Sequence, residues 1–245
     1  MATDSQVLAG RTIIVTRAAD RAGGLTSLLI EAGATVLEIP VTRTVDAGDG
    51  GHDLRTAINN IEQYDWVVVT SPEGAHRFRD AIALLGASPR QFKIAAVGTA
   101  TAEAVGGADL IPNVQTGRSL GESFPTGQGR ILLAVAESAG TDFEVAARSK
   151  GWTVDRVTTY RTVSITPTHD RSGDISQADA ITFASASSAR AWHDVFGLTM
   201  PKVVVAMGPM TASALSELGI PDVVVATEQS LKGVVTATVG ALASR

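Results

Sequence analysis

Short aliphatic runs alternate with longer segments of mixed polarity along this chain. Runs at residues 11–16 (RTIIVT), 34–39 (ATVLEI), 65–70 (DWVVVT) and 93–97 (KIAAV) predict strands in the first half. Runs at 130–135 (RILLAV), 180–184 (AITFA), 203–207 (VVVAM) and 222–226 (DVVVA) predict strands in the second. Continuous apolar runs of this length suit strands covered on both faces. Between them, apolar residues recur at helical spacing: Ala22, Leu25, Leu29 and Ala32; Ala75, Phe78, Ile82 and Leu85; Leu231, Val234, Val235 and Thr238. Shorter helices are expected over residues 54–61 and 99–105, and the segment from there to Gly129 reads as polar connection. Helix starts are marked by Asp20, Ser71-Pro72, Ser185, Ser230 and a capping-box sequence at 141–144 (TDFE). Gly33 and Gly151 stand where helix C-cap glycines belong. The loop at 46–51 (DAGDGG) has neither the glycine spacing nor the following helix of a phosphate cradle, so it reads as a flexible turn. Strand–helix alternation throughout predicts the α/β class with parallel sheets.

The pattern also repeats. Gly10-Arg11 aligns with Gly129-Arg130, and residues 33–36 (GATV) with 151–154 (GWTV). Residues 65–71 align with 179–185, and 97–102 (VGTATA) with 207–212 (MGPMTA). A period above one hundred residues is too long for a solenoid and implies two similar domains. Polar, β-branched strands at 41–45 (VTRTV) and 157–163 (VTTYRTV) echo each other inside the repeats rather than between them. The expected arrangement is therefore interleaved. Residues 1–40 and 165–245 would form one discontinuous α/β domain and 46–156 the other. Residues 41–45 and 157–164 would link them. The competing arrangement is two sequential domains with a boundary at residues 121–129.

Composition narrows the chemistry. With 44% hydrophobic residues but 4% aromatic, the core is expected to be aliphatic. The net charge of −5 and the lack of a basic block argue against nucleic acid as the main partner. There is no cysteine, so disulfides and thiolate metal sites are excluded, and the four histidines lack metal-ligand spacing. No apolar run spans a bilayer, and residues 1–5 do not open a signal peptide, so a cytoplasmic protein with no membrane partner is expected.

No nucleophile triad, Walker sequence or carboxylate pair stands out. What stands out is a set of strand-to-helix turns: residues 70–74 (TSPEG), 98–101 (GTAT), 184–188 (ASASS) and 208–211 (GPMT), two from each repeat. In doubly wound sheets such turns lie at strand carboxyl ends, where ligands bind. Helix N-termini there offer unpaired N–H groups. Read one at a time, each turn is an ordinary N-cap, and Tyr160 is an ordinary strand tyrosine.

Order and spacing together resemble the uroporphyrinogen-III synthase family over nearly the whole chain. The matching stretches are 11–17 (RTIIVTR), 65–74 (DWVVVTSPEG), 96–102 (AVGTATA), Tyr160-Arg161-Thr162 ending in Val163, 180–188 (AITFASASS), 208–212 (GPMTA) and Ser230-Leu231 after Ala226. The resemblance implies an α/β fold of two similar doubly wound parallel-sheet domains joined by a two-stranded antiparallel β-ladder, with an open cleft. It implies a cofactor-free lyase acting on hydroxymethylbilane, a linear tetrapyrrole bearing eight carboxylates. Loss of the terminal hydroxyl gives an azafulvene, and a spiro intermediate then inverts the last pyrrole ring to yield uroporphyrinogen III. The substrate also closes spontaneously without inversion, so the task is one of positioning.

Carried over by motif, Tyr160 matches the hinge tyrosine that helps the hydroxyl leave. Thr101 and Thr211 match the cleft threonines, and Ser71, Ser185 and Ser187 match loop positions lining the cleft. Arg17, Arg43, Arg161 and Lys232 are the cations expected to pair with substrate carboxylates. No metal or cofactor is expected, and the chain is expected to be a monomer. Two places depart from the family pattern: residues 136–140 (AESAG) lack a basic residue, and Ala18 stands where proline is common. A silent homologue that binds a tetrapyrrole, and a two-domain binding module of the periplasmic type, are the alternatives.

Overall fold

The computed structural model describes residues 6–17, 19–86 and 92–243; Ala18 and residues 1–5 lie outside this set. The first half contains β1 (Thr12–Val15), α1 (Ala19–Glu31), β2 (Thr35–Glu38), β3 (Thr42–Asp46), α2 (His52–Asn59), β4 (Trp66–Val69), α3 (Pro72–Leu85), β5 (Lys93–Ala96), α4 (Thr99–Val105) and α5 (Gly117–Ser123). The second contains β6 (Arg130–Ala136), α6 (Asp142–Ser149), β7 (Thr153–Ser164), α7 (Ser172–Gln177), β8 (Ala180–Phe183), α8 (Ala186–Phe196), β9 (Val203–Ala206), α9 (Pro209–Glu217), β10 (Val223–Val225) and α10 (Leu231–Ala243). The chain divides into two compact units, residues 1–43 with 163–245, and residues 44–162. No helix among the described residues is long and apolar enough to cross a membrane.

The first unit holds a five-stranded sheet of order β10-β9-β8-β1-β2. Its pairs β1–β2, β1–β8, β8–β9 and β9–β10 are all parallel. Alternation along the strands supplies two faces. Ile13, Val15, Val203 and Val205 meet Leu25, Leu29, Val234 and Leu242 of α1 and α10. Ile14, Ile181, Phe183 and Val204 meet Ala189, Trp192 and Leu215 of α8 and α9. Helices thus cover both faces, which is why β8 and β9 are buried at every residue while the edge strands β2 and β10 are not.

The second unit has the order β3-β7-β6-β4-β5, again parallel at β4–β5, β4–β6 and β6–β7. Val67, Val69, Leu132 and Ala134 pack against Leu54, Ile58, Phe78 and Val105. On the other face Val68, Ile131, Leu133 and Val135 pack against Leu120, Phe124, Phe143 and Ala147. The core is mostly aliphatic, with an aromatic cluster on this face: Phe124 sits 4.9 Å from Trp66, 5.2 Å from Phe143 and 5.7 Å from Trp152, ring centre to ring centre. The first unit has a smaller one, in which Trp192 lies 4.5 Å from Phe196 and 6.1 Å from Phe183. Equivalent positions of the repeat share geometry, with Gly33 and Gly151 at φ 95° and 96°.

Several expectations need correction. Helix α1 already begins at Ala19, so Asp20 lies inside it rather than capping it. Thr141 precedes α6 with φ −105° and ψ 2° and makes no side-chain cap bond. Glu144, the other half of the expected capping box, pairs instead with Arg148 at 3.1 Å and Arg156 at 3.6 Å. The segment before Gly129 is not all connection: it contains α5, capped by the Thr116 hydroxyl, which accepts from Ser119 N–H at 3.1 Å. Leu120 and Gly121 are the buried residues of α5, too few to generate a visible period. Helix α7 was equally invisible, with Ile175 alone buried.

Candidate functional site

In each unit the order of strands reverses at one place. Strand β1 has β2 on one side and β8 on the other, and β4 has β5 on one side and β6 on the other. Ligands of open parallel sheets bind outside the strand carboxyl ends at such points.

At the β4 end, Ser71 is extended and caps α3. Its Oγ accepts from Gly74 N–H at 3.1 Å, with Pro72 in the first turn. Tyr160 approaches from β7, 7% exposed, and donates its hydroxyl to Ser71 Oγ at 3.1 Å. A register shift between β6 and β7 brings this about. Val135 pairs with Thr158 and Ala136 with Tyr160, so Thr159 is the extra residue. The Thr159 hydroxyl donates to Val135 O at 3.1 Å, and Tyr160 O accepts from Glu137 N–H at 2.9 Å. A bulge of this kind re-aims the next side chain.

The Arg77 guanidinium lies 6.0 Å from the Tyr160 ring centre and pairs with Glu73 at 2.7 Å and Asp46 at 2.6 Å. Burial opposes the Arg77 charge, yet the hydrogen bonds and charges of Asp46 and Glu73 hold its pKa above the usual value. Arg77 was missed from the sequence, although its i,i+4 spacing from Glu73 could have drawn notice. A pocket of about 380 Å³ opens at the same sheet edge, lined by Thr70, Val97, Gln115, Val135, Ala139 and Gly140 among others.

At the β8 end of the other unit, Ser185 caps α8 by accepting from Ser188 N–H at 3.2 Å, and its Oγ lies 3.0 Å from that of exposed Ser187. Thr16 and Thr182 lock β1 to β8: each hydroxyl donates across the pair, to Thr182 O at 2.8 Å and Ile14 O at 3.0 Å. Arg17 follows in the turn after β1, half-buried. Its counterpart in the other repeat is Ala136.

The structure thus joins Tyr160 to Ser71 and Ser185 to Ser187. Thr101 and Thr211 occupy the third helical positions of α4 and α9, only 3% and 4% exposed. Neither hydroxyl has a hydrogen-bond partner among the described residues. Arg43 on β3, Arg161 on β7 and Lys232 on α10 are exposed, and among the described residues none is in an ion pair. Among the described residues most other arginines are in ion pairs. Among the described residues no group of three or more His, Asp or Glu could hold a metal ion.

Comparison with known proteins supplies the lineage. The chloroplastic uroporphyrinogen-III synthase of rice (Oryza sativa subsp. japonica) is 26% identical over 246 residues, 94% of this chain and 80% of that one. The uroporphyrinogen-III synthase of Synechococcus elongatus is 33% identical over 165 residues, 63% of this chain and 62% of its own. The porphyrin biosynthesis protein HemD of Ruminiclostridium josui is 32% identical over 165 residues, which is 32% of its length. A crystal structure of uroporphyrinogen III synthase from Thermus thermophilus has the same fold, with TM-score 0.66 at 20% identity, covering 96% of this chain and 100% of that one. The sequence model described as "Uroporphyrinogen-III synthase HemD" matches residues 24–236, so the chain belongs to the uroporphyrinogen-III synthase family.

Proposed function

We propose that this chain cyclises hydroxymethylbilane to uroporphyrinogen III, a lyase reaction in which water is lost and the last pyrrole ring is inverted. The observation that carries the mechanism is the Tyr160–Ser71 hydrogen bond at a strand carboxyl edge. Ser71 Oγ accepts from both Tyr160 O–H and Gly74 N–H, which leaves its own proton to donate. Ser71 can therefore protonate the departing hydroxyl while taking the proton of Tyr160 in the same movement. Water leaves and the azafulvene forms. The proton returns when the closed macrocycle loses one to restore its last aromatic pyrrole.

Thr101, Thr211, Ser185 and Ser187 hold the chain as neutral donors, and Arg17, Arg43, Arg161 and Lys232 pair with carboxylates. The cation assignments are supported by the exposure of Arg43, Arg161 and Lys232 without ion-pair partners among the described residues. No cofactor enters this reading. Two domains, residues 1–40 with 165–245 and residues 46–156, with 41–45 and 157–164 as linkers, are supported by the separate cores. The net charge of −5 favours a small-molecule substrate over nucleic acid, and we propose a monomer working in the cytoplasm.

The test is to incubate hydroxymethylbilane with the protein, oxidise the products and resolve the isomers. The type III isomer should exceed the type I isomer formed spontaneously. An isomer ratio equal to that of buffer alone would overturn the reading. With a bound tetrapyrrole, it would instead mark a silent homologue.

A further inference from the structure

Two glutamines occupy matching places in the two units, and neither has a part in the reading above. Gln115 immediately precedes Thr116, the cap of α5, and Gln229 immediately precedes Ser230, the cap of α10. Each side chain lies over a glycine that precedes a helix. A Cβ on Gly98 would collide with Gln115 Oε1, and one on Gly208 would come 3.0 Å from Gln229 Oε1 and Cδ. Both glycines are in ordinary extended backbone, φ −165° and −166°. Their lack of a side chain leaves the space that the close glutamine fills, and the backbone itself does not demand it. Three residues on from these glycines come Thr101 and Thr211, whose buried hydroxyls lack a hydrogen-bond partner among the described residues. The two glutamines are exposed, and their amides likewise have no partner among the described residues.

An exposed amide lying over the glycine that precedes a helix, with its donors uncommitted, is a neutral donor. The substrate of the proposed function carries more carboxylates than the four cations named for it, and the protein is itself anionic. Further cations would serve, but so would neutral donors, which add no charge of their own and keep the site from clinging to every anion. Gln115 also lines the pocket at the carboxyl edge of β4 and β6. We infer that Gln115 and Gln229, one in each unit, are substrate-binding residues whose side-chain amides donate hydrogen bonds to carboxylates of the tetrapyrrole. This inference rests on the proposed function.

The experiment compares wild type with Gln115→Leu, Gln229→Leu and Gln229→Glu, by steady-state turnover of hydroxymethylbilane and by anaerobic calorimetric binding of uroporphyrinogen III. Each leucine variant should raise KM and weaken binding about threefold to tenfold, the worth of one hydrogen bond, with kcat nearly unchanged. Gln229→Glu should be worse than Gln229→Leu at neutral pH, because a carboxylate repels carboxylates. The gap should narrow as salt screens the repulsion. A merely structural role would not order the two variants this way, and thermal melts would identify any variant that fails to fold. Unchanged KM and affinity in folded leucine variants would overturn the inference. Wild-type protein without type III product, but with glutamine-dependent binding, would overturn the functional reading and leave the inference standing.

Discussion

At the scale of single residues, the Tyr160–Ser71 pair separates chemistry from stability. Tyr160→Phe removes one oxygen and leaves the ring beside Arg77, so the fold should persist in circular dichroism. Formation of the type III isomer under saturating substrate should slow by about 10²-fold, the low end for general acid help, since the hydroxyl departs partly unaided. Unchanged turnover would reduce Tyr160 to a strand tyrosine. Ser71→Ala should slow the reaction too, but it also removes a helix cap worth about 1 kcal/mol. The fall in the midpoint of denaturation should thus be larger than in Tyr160→Phe, which loses the shared hydrogen bond but keeps the cap. Thr211→Ala should raise KM with a smaller effect on kcat. The motif drew attention to Tyr160, but its aim toward Ser71 depends on the extra residue Thr159 in β7. Nothing in the local run 157–163 announces that bulge, because β-branched residues there suit bulged and regular strands alike.

Among the elements, helix starts behave differently from what their sequences suggest. Ser185→Ala should cost about 1 kcal/mol, a fall of roughly 2–4 °C in Tm for a domain of this size. Thr141→Ala should change Tm little, because Thr141 makes no cap bond and Glu144 is committed to Arg148 and Arg156. Equal losses would restore the capping box. The turn into β4 carries a titratable marker, Tyr64, whose hydroxyl donates to Asp155 at 3.0 Å. Burial chiefly, then the hydrogen bond and charge of Asp155, push the phenol up to about 12, with Arg130 opposing. In the Tyr160→Phe variant the chain keeps Tyr64 as its one tyrosine. Its phenolate absorbance should therefore rise near pH 12 in the folded protein and near pH 10 when unfolded. Since the unfolded chain loses this proton first, stability should fall as pH climbs from 10 to 12. A native titration near 10 would refute the buried hydrogen bond.

For the whole molecule, the repeats visible in the sequence and the compact units do not coincide. Strand β1 pairs with β8 and β4 with β6, so each switch point joins strands from different repeats. The second unit is one continuous segment with its own two-faced core, so residues 44–162 expressed alone should melt cooperatively. A molten segment without a transition would show that its stability depends on the rest of the chain. Hydrophobic patterning by itself determined the α/β class, the buried strands, the strand-to-helix turns and the duplication. These are local consequences of burial on two faces, repeated at every strand. The turns that carry Ser71, Thr101, Ser185, Ser187 and Thr211 were legible for the same reason, since caps and small residues sit where strands end. Helices α5 and α7 were not, because one or two buried residues carry no period. Arg77 beside Tyr160, and the two glutamines over their glycines, were decided only in three dimensions. Each depends on contacts between segments distant in the chain, where the partner, not the local sequence, sets which way a side chain turns.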